Sequence, residues 1–327
     1  MASMEFEFLY SQLQDRRQRL ESLVAAGPDI TLEGLLEQVD AALDRMKRGT
    51  YGICEACNEP VEKDRLLADP LIRLCLDHLS APDQRALERD LELAAQVQRG
   101  LLPAQGLAAA GWQTHYHYEP LSMVSGDYCD LIPGKNGTND LLFLLGDVAG
   151  KGVAASMMMT HLAALFRSLA TLDLPIGELL ERANRLFCES TLAGHYATLV
   201  CGRATPSGHV EIASAGHHPV LVLRRDEITC VPSTGIPLGM FSEGKFPSRK
   251  IALDQGESLF LYTDGLLDAR NASGAEYGSE RLTGFARSQR APDPKSLTAA
   301  CLRDLRSFAA GAPRVDDLTL LALQRTG

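Results

Sequence analysis

An α+β domain over residues 104–327, preceded by a helical hairpin and a short cysteine-bearing segment, is the fold class that the sequence predicts. Three observations carry it. Strand-like runs occur at 112–118, 140–146, 196–204, 209–214, 220–225, 258–263 and 318–323, with helical stretches at about 153–170, 176–190 and 295–310. Grouped strands with segregated helices indicate α+β packing on largely antiparallel sheets. Upstream of residue 104 the apolar residues instead recur at helical spacing, and three of the eight cysteines stand close together.

The helical elements come first. Leu9, Leu13, Leu20 and Leu23 recur at helical spacing in a helix over 5–25, and Leu32, Leu35, Leu36, Val39, Leu43 and Met46 do so in a second over 31–48. Gly27-Pro28-Asp29 breaks between them, Thr31 caps the second helix and Gly49 follows its end. Residues 1–50 are therefore a helical hairpin. Residues 51–80 are turn-rich and hold the cysteine cluster. A linker helix over about 83–101 lies within 81–103 and is ended by Pro103. Its track of Leu87, Leu91, Ala94, Gln98 and Leu101 has the alternating three-and-four spacing of a short coiled-coil seam. That seam predicts a homodimer; the alternative is an amphipathic helix packed on its own domain.

Composition excludes several classes. A chain of 327 residues is long enough for more than one domain. The net charge of −10 argues against broad nucleic-acid binding, which needs a basic face. No apolar stretch approaches the roughly 20 residues that span a bilayer, and Met1 to Arg19 lacks the order of a signal peptide. A cytoplasmic protein with no membrane contact is expected. Cys129, Cys188, Cys201, Cys230 and Cys301 then read as buried small hydrophobes.

The clustered cysteines form a metal-site pattern. Cys54-Glu-Ala-Cys57 is followed, seventeen residues on, by Cys75-Leu-Asp-His78. Two close pairs at this separation are zinc-site spacing. Four soft or borderline ligands close a tetrahedron around one structural Zn(II). The stretch Arg48-Gly49-Thr50-Tyr51-Gly52-Ile53-Cys54-Glu55-Ala56-Cys57, with Arg65-Leu66 and Pro70, closely resembles the DksA/TraR zinc-finger family. That resemblance implies a finger after a helical hairpin, and RNA polymerase as a partner. The family's hairpin tip is acidic, whereas this turn offers Asp29.

Carboxylates beside glycines end several apolar runs. They occur in Gly126-Asp127-Tyr128-Cys129-Asp130, in Gly146-Asp147-Val148-Ala149-Gly150, in Tyr262-Thr263-Asp264-Gly265 and in Val315-Asp316-Asp317-Leu318. A lone Asp after a strand is a turn residue or a helix cap; four such places in one domain suggest convergence. Converging carboxylates repel and their pKa values rise unless cations compensate. Mg(II) or Mn(II) suits such oxygen ligands. Glycines let the backbone approach, so the Val148 carbonyl can also serve as a ligand. Two such metals can acidify a bridging water and aim it at phosphorus. Other hydrolytic schemes fit worse. No cysteine has an arginine six positions later, Gly146 to Gly152 is one residue short of a P-loop, and His-Glu-x-x-His is missing.

Residues from about 104 to 327 resemble the SpoIIE/RsbU branch of the PPM-type protein phosphatases. The matching segments run in family order: Gly126-Asp127-Tyr128, Asp147-Val148-Ala149-Gly150-Lys151-Gly152, Ser214-Ala215-Gly216-His217-His218-Pro219, Gly235-Ile236-Pro237-Leu238-Gly239, Tyr262-Thr263-Asp264-Gly265, Tyr277-Gly278 with Arg281-Leu282, and Asp316-Asp317-Leu318-Thr319. Gln96-Val97-Gln98-Arg99-Gly100-Leu101-Leu102-Pro103 is similar to the family's linker. The resemblance implies an α/β/β/α sandwich of two antiparallel sheets flanked by helices, with two Mn(II) or Mg(II) ions at one end. Asp147 would bridge both metals, the Val148 carbonyl would bind one, and Asp264 and Asp316 would complete the pair. Asp317 or Asp127 would support them.

Other motif residues have plainer expectations. His217 is expected to hydrogen-bond, Lys151 to be a solvated lysine or a phosphate contact, and Met157, Met158 and Met159 to be core. The function the resemblance implies is hydrolysis of phosphoserine or phosphothreonine on a partner protein by a metal-bridged water, the partner being an anti-anti-sigma (STAS-domain) regulator. A transcription regulator that binds RNA polymerase through residues 1–80 is the alternative.

Overall fold

A computed structural model describes every residue except 1, 27–29, 63–64, 67–68, 80, 135–138, 192–193, 226 and 290–292. It divides into two compact units, 1–90 and 91–327.

The first unit begins with the expected helices, α1 (Ala2–Ala26) and α2 (Ile30–Arg48). The break at Gly27-Pro28-Asp29, and with it the acidic residue of the turn, lies outside the described residues. The periodic side chains meet: Leu9, Leu13 and Leu20 pack with Val39, Ala42, Leu43 and Met46. Leu23 is exposed instead. Gly49 and Gly52, both at positive φ, then turn the chain into the cysteine segment.

Helix α3 (Ala81–Leu101) follows. Its Gln98 is buried. The Gln98 amide donates to the Ser125 carbonyl at 2.7 Å, and the Ser125 N–H donates back to Oε1 at 3.0 Å. An amide buried with both ends paired is a lock within the domain and not a coiled-coil knob. At this position the helix follows the alternative expectation, packing on its own domain.

The second unit is an α/β/β/α sandwich. One sheet has the order β1-β2-β11-β10-β7-β8 and the other β3-β4-β5-β6-β9, with every strand pairing antiparallel. The strands are β1 (Ala108–Ala109), β2 (Trp112–Glu119), β3 (Asp127–Pro133), β4 (Leu141–Val148), β5 (Ala197–Ala204), β6 (His209–Ala215), β7 (Val220–Leu223), β8 (Ile228–Val231), β9 (Arg249–Ala252), β10 (Ser258–Tyr262) and β11 (Leu318–Arg325). Helices α4 (Gly152–Leu169) and α5 (Ile176–Ser190) cover the five-stranded sheet. The short α6 (Asp264–Leu267), α7 (Gly278–Ser288) and α8 (Pro294–Ala309) belong to the other face.

Period two explains why the central strands read as unbroken apolar runs. In β4, Leu141, Phe143 and Leu145 fill the core between the sheets, while Leu142 and Leu144 pack under α4 and α5. In β10, Leu259 and Leu261 face the other sheet, and Phe260 and Tyr262 face α6–α8.

Some elements escaped the sequence pattern. Strand β3, Asp-Tyr-Cys-Asp-Leu-Ile-Pro, with its two acids and its proline, is not among the strand-like runs. Asp130 is fully buried there because Arg167 of α4 grips it with two bonds, at 2.8 and 3.0 Å. Strands β8 and β9 are four residues each, and α6 and α7 are also short. The scattered cysteines divide: Cys129, Cys201 and Cys301 are buried, Cys188 is half-buried, and Cys230, on the edge strand β8, is exposed. Of the three methionines, Met159 is buried and Met157 is exposed. Successive helical residues point about 100° apart, so one face cannot hold all three.

Candidate active site

The strand ends bring four of the acidic motifs to one end of the two sheets. Asp127 opens β3 and is the register partner of Asp147, near the end of β4. Asp264 opens α6 directly after β10, and Asp316 and Asp317 stand directly before β11, which pairs with β10. The Thr263 N–H donates to the Thr319 carbonyl at 3.0 Å, closing that second pair of ends.

Asp127 joins the two sheets. It is buried, and its Oδ2 accepts from the hydroxyls of Thr263, at 3.0 Å, and Thr319. Its own N–H donates to Ser125 Oγ at 3.0 Å. Burial, then the charge of Asp147, holds its carboxyl well above the usual carboxylate range. Asp317 is also fully engaged: Oδ1 accepts from the Leu121 N–H at 2.6 Å and Oδ2 from the Gly126 N–H at 2.9 Å. It fastens the 121–126 loop, which the Gln98 lock holds from the other side.

Asp147, Asp264 and Asp316 lie close enough to feel one another's charge. Burial, then the charges of Asp264, Asp316 and Asp317, push the Asp147 carboxyl up to about 8. Asp264 is raised by burial and then by Asp316 and Asp268. Asp268 was absent from the sequence expectation, although it lies one helical turn from Asp264. Two glycines make the approach possible. A Cβ at Gly265 would lie 1.8 Å from the Asp317 carbonyl oxygen, and one at Gly126 would lie 3.1 Å from the Val148 carbonyl oxygen. The donor set is hard oxygen, and burial with neighbouring acids raises the Asp147 and Asp264 carboxyls, which suits hard divalent cations.

His217 hydrogen-bonds through both ring nitrogens, as expected. Nδ1 is 2.8 Å from Thr198 Oγ1, on β5, and Nε2 donates to the Tyr262 carbonyl at 3.1 Å. It thus links the two sheets beside Asp264. Burial, then His218, pushes the imidazole down to about 3. Below the ordinary value near 6.5, the unfolded chain takes up a proton that the folded chain refuses. The stabilisation is therefore complete above pH 6.5 and lost as pH falls toward 3. His217→Gln is expected to flatten the acid dependence of the urea midpoint between pH 6.5 and 4. The reporter is Trp112, the sole tryptophan, buried between the sheets. Equal slopes in the two proteins would refute this role.

The first unit holds the second constellation. Among the described residues, Cys54, Cys57, Cys75 and His78 present ligand atoms that all lie within 4.8 Å of one another. Cys57 Sγ is 3.8 Å from Cys75 Sγ, and Cys75 Sγ is 3.2 Å from His78 Nδ1. A zinc–sulfur bond of about 2.3 Å gives a tetrahedral S···S edge of about 3.8 Å, so the set fits zinc. Knuckle geometry comes from Asn58, at φ 61°, whose N–H donates to the Cys54 carbonyl at 2.9 Å. Backbone N–H groups, first that of Cys75, push the Cys54 thiol down to about 6, while burial, then its neighbouring thiols, pushes Cys75 up to about 11. One thiolate forms readily; the next needs a cation.

An α/β/β/α sandwich with carboxylates gathered at one end of its sheets defines the class, and comparison with known proteins identifies the family. The family model described as Stage II sporulation protein E (SpoIIE) matches residues 137–326, and the chain belongs to this family. That of the prokaryotic dksA/traR C4-type zinc finger matches residues 49–77. The match ends one residue before His78, which stands where a C4 site has its fourth cysteine. Protein IcfG of Synechocystis sp. is 28% identical over 265 residues, covering 72% of this chain and 41% of the relative. Phosphoserine phosphatase RsbU of Bacillus subtilis is 24% identical over 194 residues, covering 58% of this chain and 57% of RsbU. The chain thus spans about half the length of these relatives. The SiaA-PP2C domain of Pseudomonas aeruginosa shares the fold, with a TM-score of 0.65 at 19% identity, covering 75% of this chain and 99% of the domain. Among the described residues, no helix is long and apolar enough to cross a membrane.

Proposed function

We propose that this chain is a metal-dependent protein serine/threonine phosphatase that acts on a phosphorylated partner protein, an anti-anti-sigma (STAS-domain) regulator being the expected substrate. The observation that carries the proposal is the meeting of Asp147, Asp264 and Asp316 from two sheets, with Asp147 raised to about 8 by burial and by those neighbours. Such a cluster is only partly compensated by Lys151 and calls for further cations. Family membership and the similarity to phosphoserine phosphatase RsbU support the reaction class.

In this proposal Asp147, the Val148 carbonyl, Asp264 and Asp316 would hold two Mn(II) or Mg(II) ions. Two such ions supply Lewis-acid charge for the phosphoryl oxygens and acidify water. The other residues position these ligands. Asp127, through Thr263 and Thr319, fixes the separation of the strand ends. Asp317 holds the loop that brings Gly126 against the Val148 carbonyl. His217 stays neutral at physiological pH and ties β5 to β10 across the two sheets. Cys54, Cys57, Cys75 and His78 would hold one structural Zn(II), closed to substrate because all four positions are protein ligands.

Phosphate release from a phosphoserine peptide by the full chain tests the proposal. Turnover is expected with Mn(II), lost on chelation and lowered about 100-fold or more in Asp264→Asn, in line with the several kcal/mol that metal charge stabilisation supplies. A phosphorylated STAS-domain protein should exceed the unrelated peptide in kcat/KM. Turnover that ignores chelator and Asp264→Asn alike would refute the site; equal kcat/KM would refute the substrate class.

A further inference from the structure

Lys151 follows Asp147-Val148-Ala149-Gly150 and caps the start of α4 with extended backbone. Its side chain is 57% exposed, yet its ammonium is held at two points. Nζ lies 2.7 Å from Asp316 Oδ2 and donates to the Val315 carbonyl at 2.6 Å. The other carboxylate oxygen of Asp316, Oδ1, accepts the Asp317 N–H at 3.0 Å. Both oxygens of this proposed ligand are therefore engaged. Among the described residues, this is also the ion pair that the five carboxylates of the site make. Oδ1 is bonded to its own backbone segment, whereas Oδ2 is held by a side chain that solvent reaches.

We propose that Lys151 is a tethered counter-cation that competes with a divalent metal ion for Asp316, so that metal enters this position by displacing the ammonium. The inference rests on the two-metal reading above. A carboxylate oxygen bonded to an ammonium at 2.7 Å has its charge turned toward that ammonium. A cation arriving at the same oxygen meets like charge at short range. Displacement is feasible because the lysine is exposed and needs only to rotate into water. The metal associated with Asp316 is thus bound more weakly than its partner ion, and its affinity reports the strength of the lysine contact.

Calorimetric titration of the zinc-loaded full chain with Mn(II) tests this in wild type, Lys151→Met and Lys151→Arg. Wild type is expected to show a tight and a weak site. Lys151→Met should tighten the weak site about fivefold, the scale of one exposed ion pair, and leave the tight site unchanged. Lys151→Arg, which keeps the charge, should stay within about twofold of wild type. A weak site that Lys151→Met leaves within about twofold overturns the proposal, as does equal tightening by Met and Arg, which would make the effect steric. Wild type that binds no Mn(II) sinks the two-metal reading itself. Wild type that binds two ions without responding to Lys151→Met sinks this inference alone.

Discussion

Asp147→Asn is expected to lower metal-dependent phosphate release by about 10²- to 10⁴-fold, and to make the metal-free chain harder to unfold at pH 8. The two effects share one cause. The carboxylate is pushed up to about 8 by burial and by Asp264, Asp316 and Asp317; in the unfolded chain it titrates near 4. Between those values the folded state holds a proton that the unfolded state has released, so its stability falls as pH rises from about 4 to 8. Asparagine keeps the shape and carries no charge, which removes that cost, of the order of a few kcal/mol at pH 8. The same change removes the carboxylate proposed to lie between the two cations, hence the loss of turnover. Phosphate release at saturating Mn(II) and urea unfolding followed by Trp112 measure the two sides. A stable Asp147→Asn chain that still turns over at saturating Mn(II) would exclude the site; one destabilised when metal-free would make Asp147 a structural residue.

Cys54→Ser should abolish zinc binding and unfold the segment around residues 49–78. The described core of that segment is Cys54, Val61, Leu66 and Cys75, two of which are ligands. So small a core cannot offset the ordering of the chain alone. Structural zinc contributes about 10–16 kcal/mol in comparable fingers at pH 7. Elemental analysis is expected to give one zinc per wild-type chain and none in the variant. Hydrogen exchange should show lost protection across the segment. His78→Cys, which restores a C4 ligand set, should retain the metal. Unchanged protection after zinc removal would mean that other contacts, such as Tyr51 and Leu71 packing on the hairpin core and Tyr51 Oη donating to the Pro70 carbonyl at 3.0 Å, hold the segment without zinc.

Periodicity and spacing are one-dimensional, and what depends on them was legible. Leu9, Leu13, Val39 and Leu43 meet because helices repeat every 3.6 residues. The cysteine pairs gather because a knuckle and a single helical turn are local structures. The acidic motifs were legible as a set because each ends an apolar strand or opens the next element. Which carboxylate does what was not legible. Asp316 and Asp317 are adjacent in sequence, but one faces Lys151 and the other accepts two N–H groups from residues 121–126. Strand β3 was missed because the partner that makes its buried Asp130 tolerable, Arg167, lies on a separate helix.

Local pattern in the chain was enough for the hairpin, the metal-ligand spacing of the finger, the order of the two-sheet domain and the acids at its strand ends. Folding added that Asp127 ties the sheets together, that Gln98 locks α3 to Ser125, that His217 bridges the sheets and that Lys151 sits on Asp316. Each of these contacts joins residues far apart in the chain, except the Asp127 bond to Ser125. Their energies depend on burial and on side-chain direction, which are set when the two sheets close on one another.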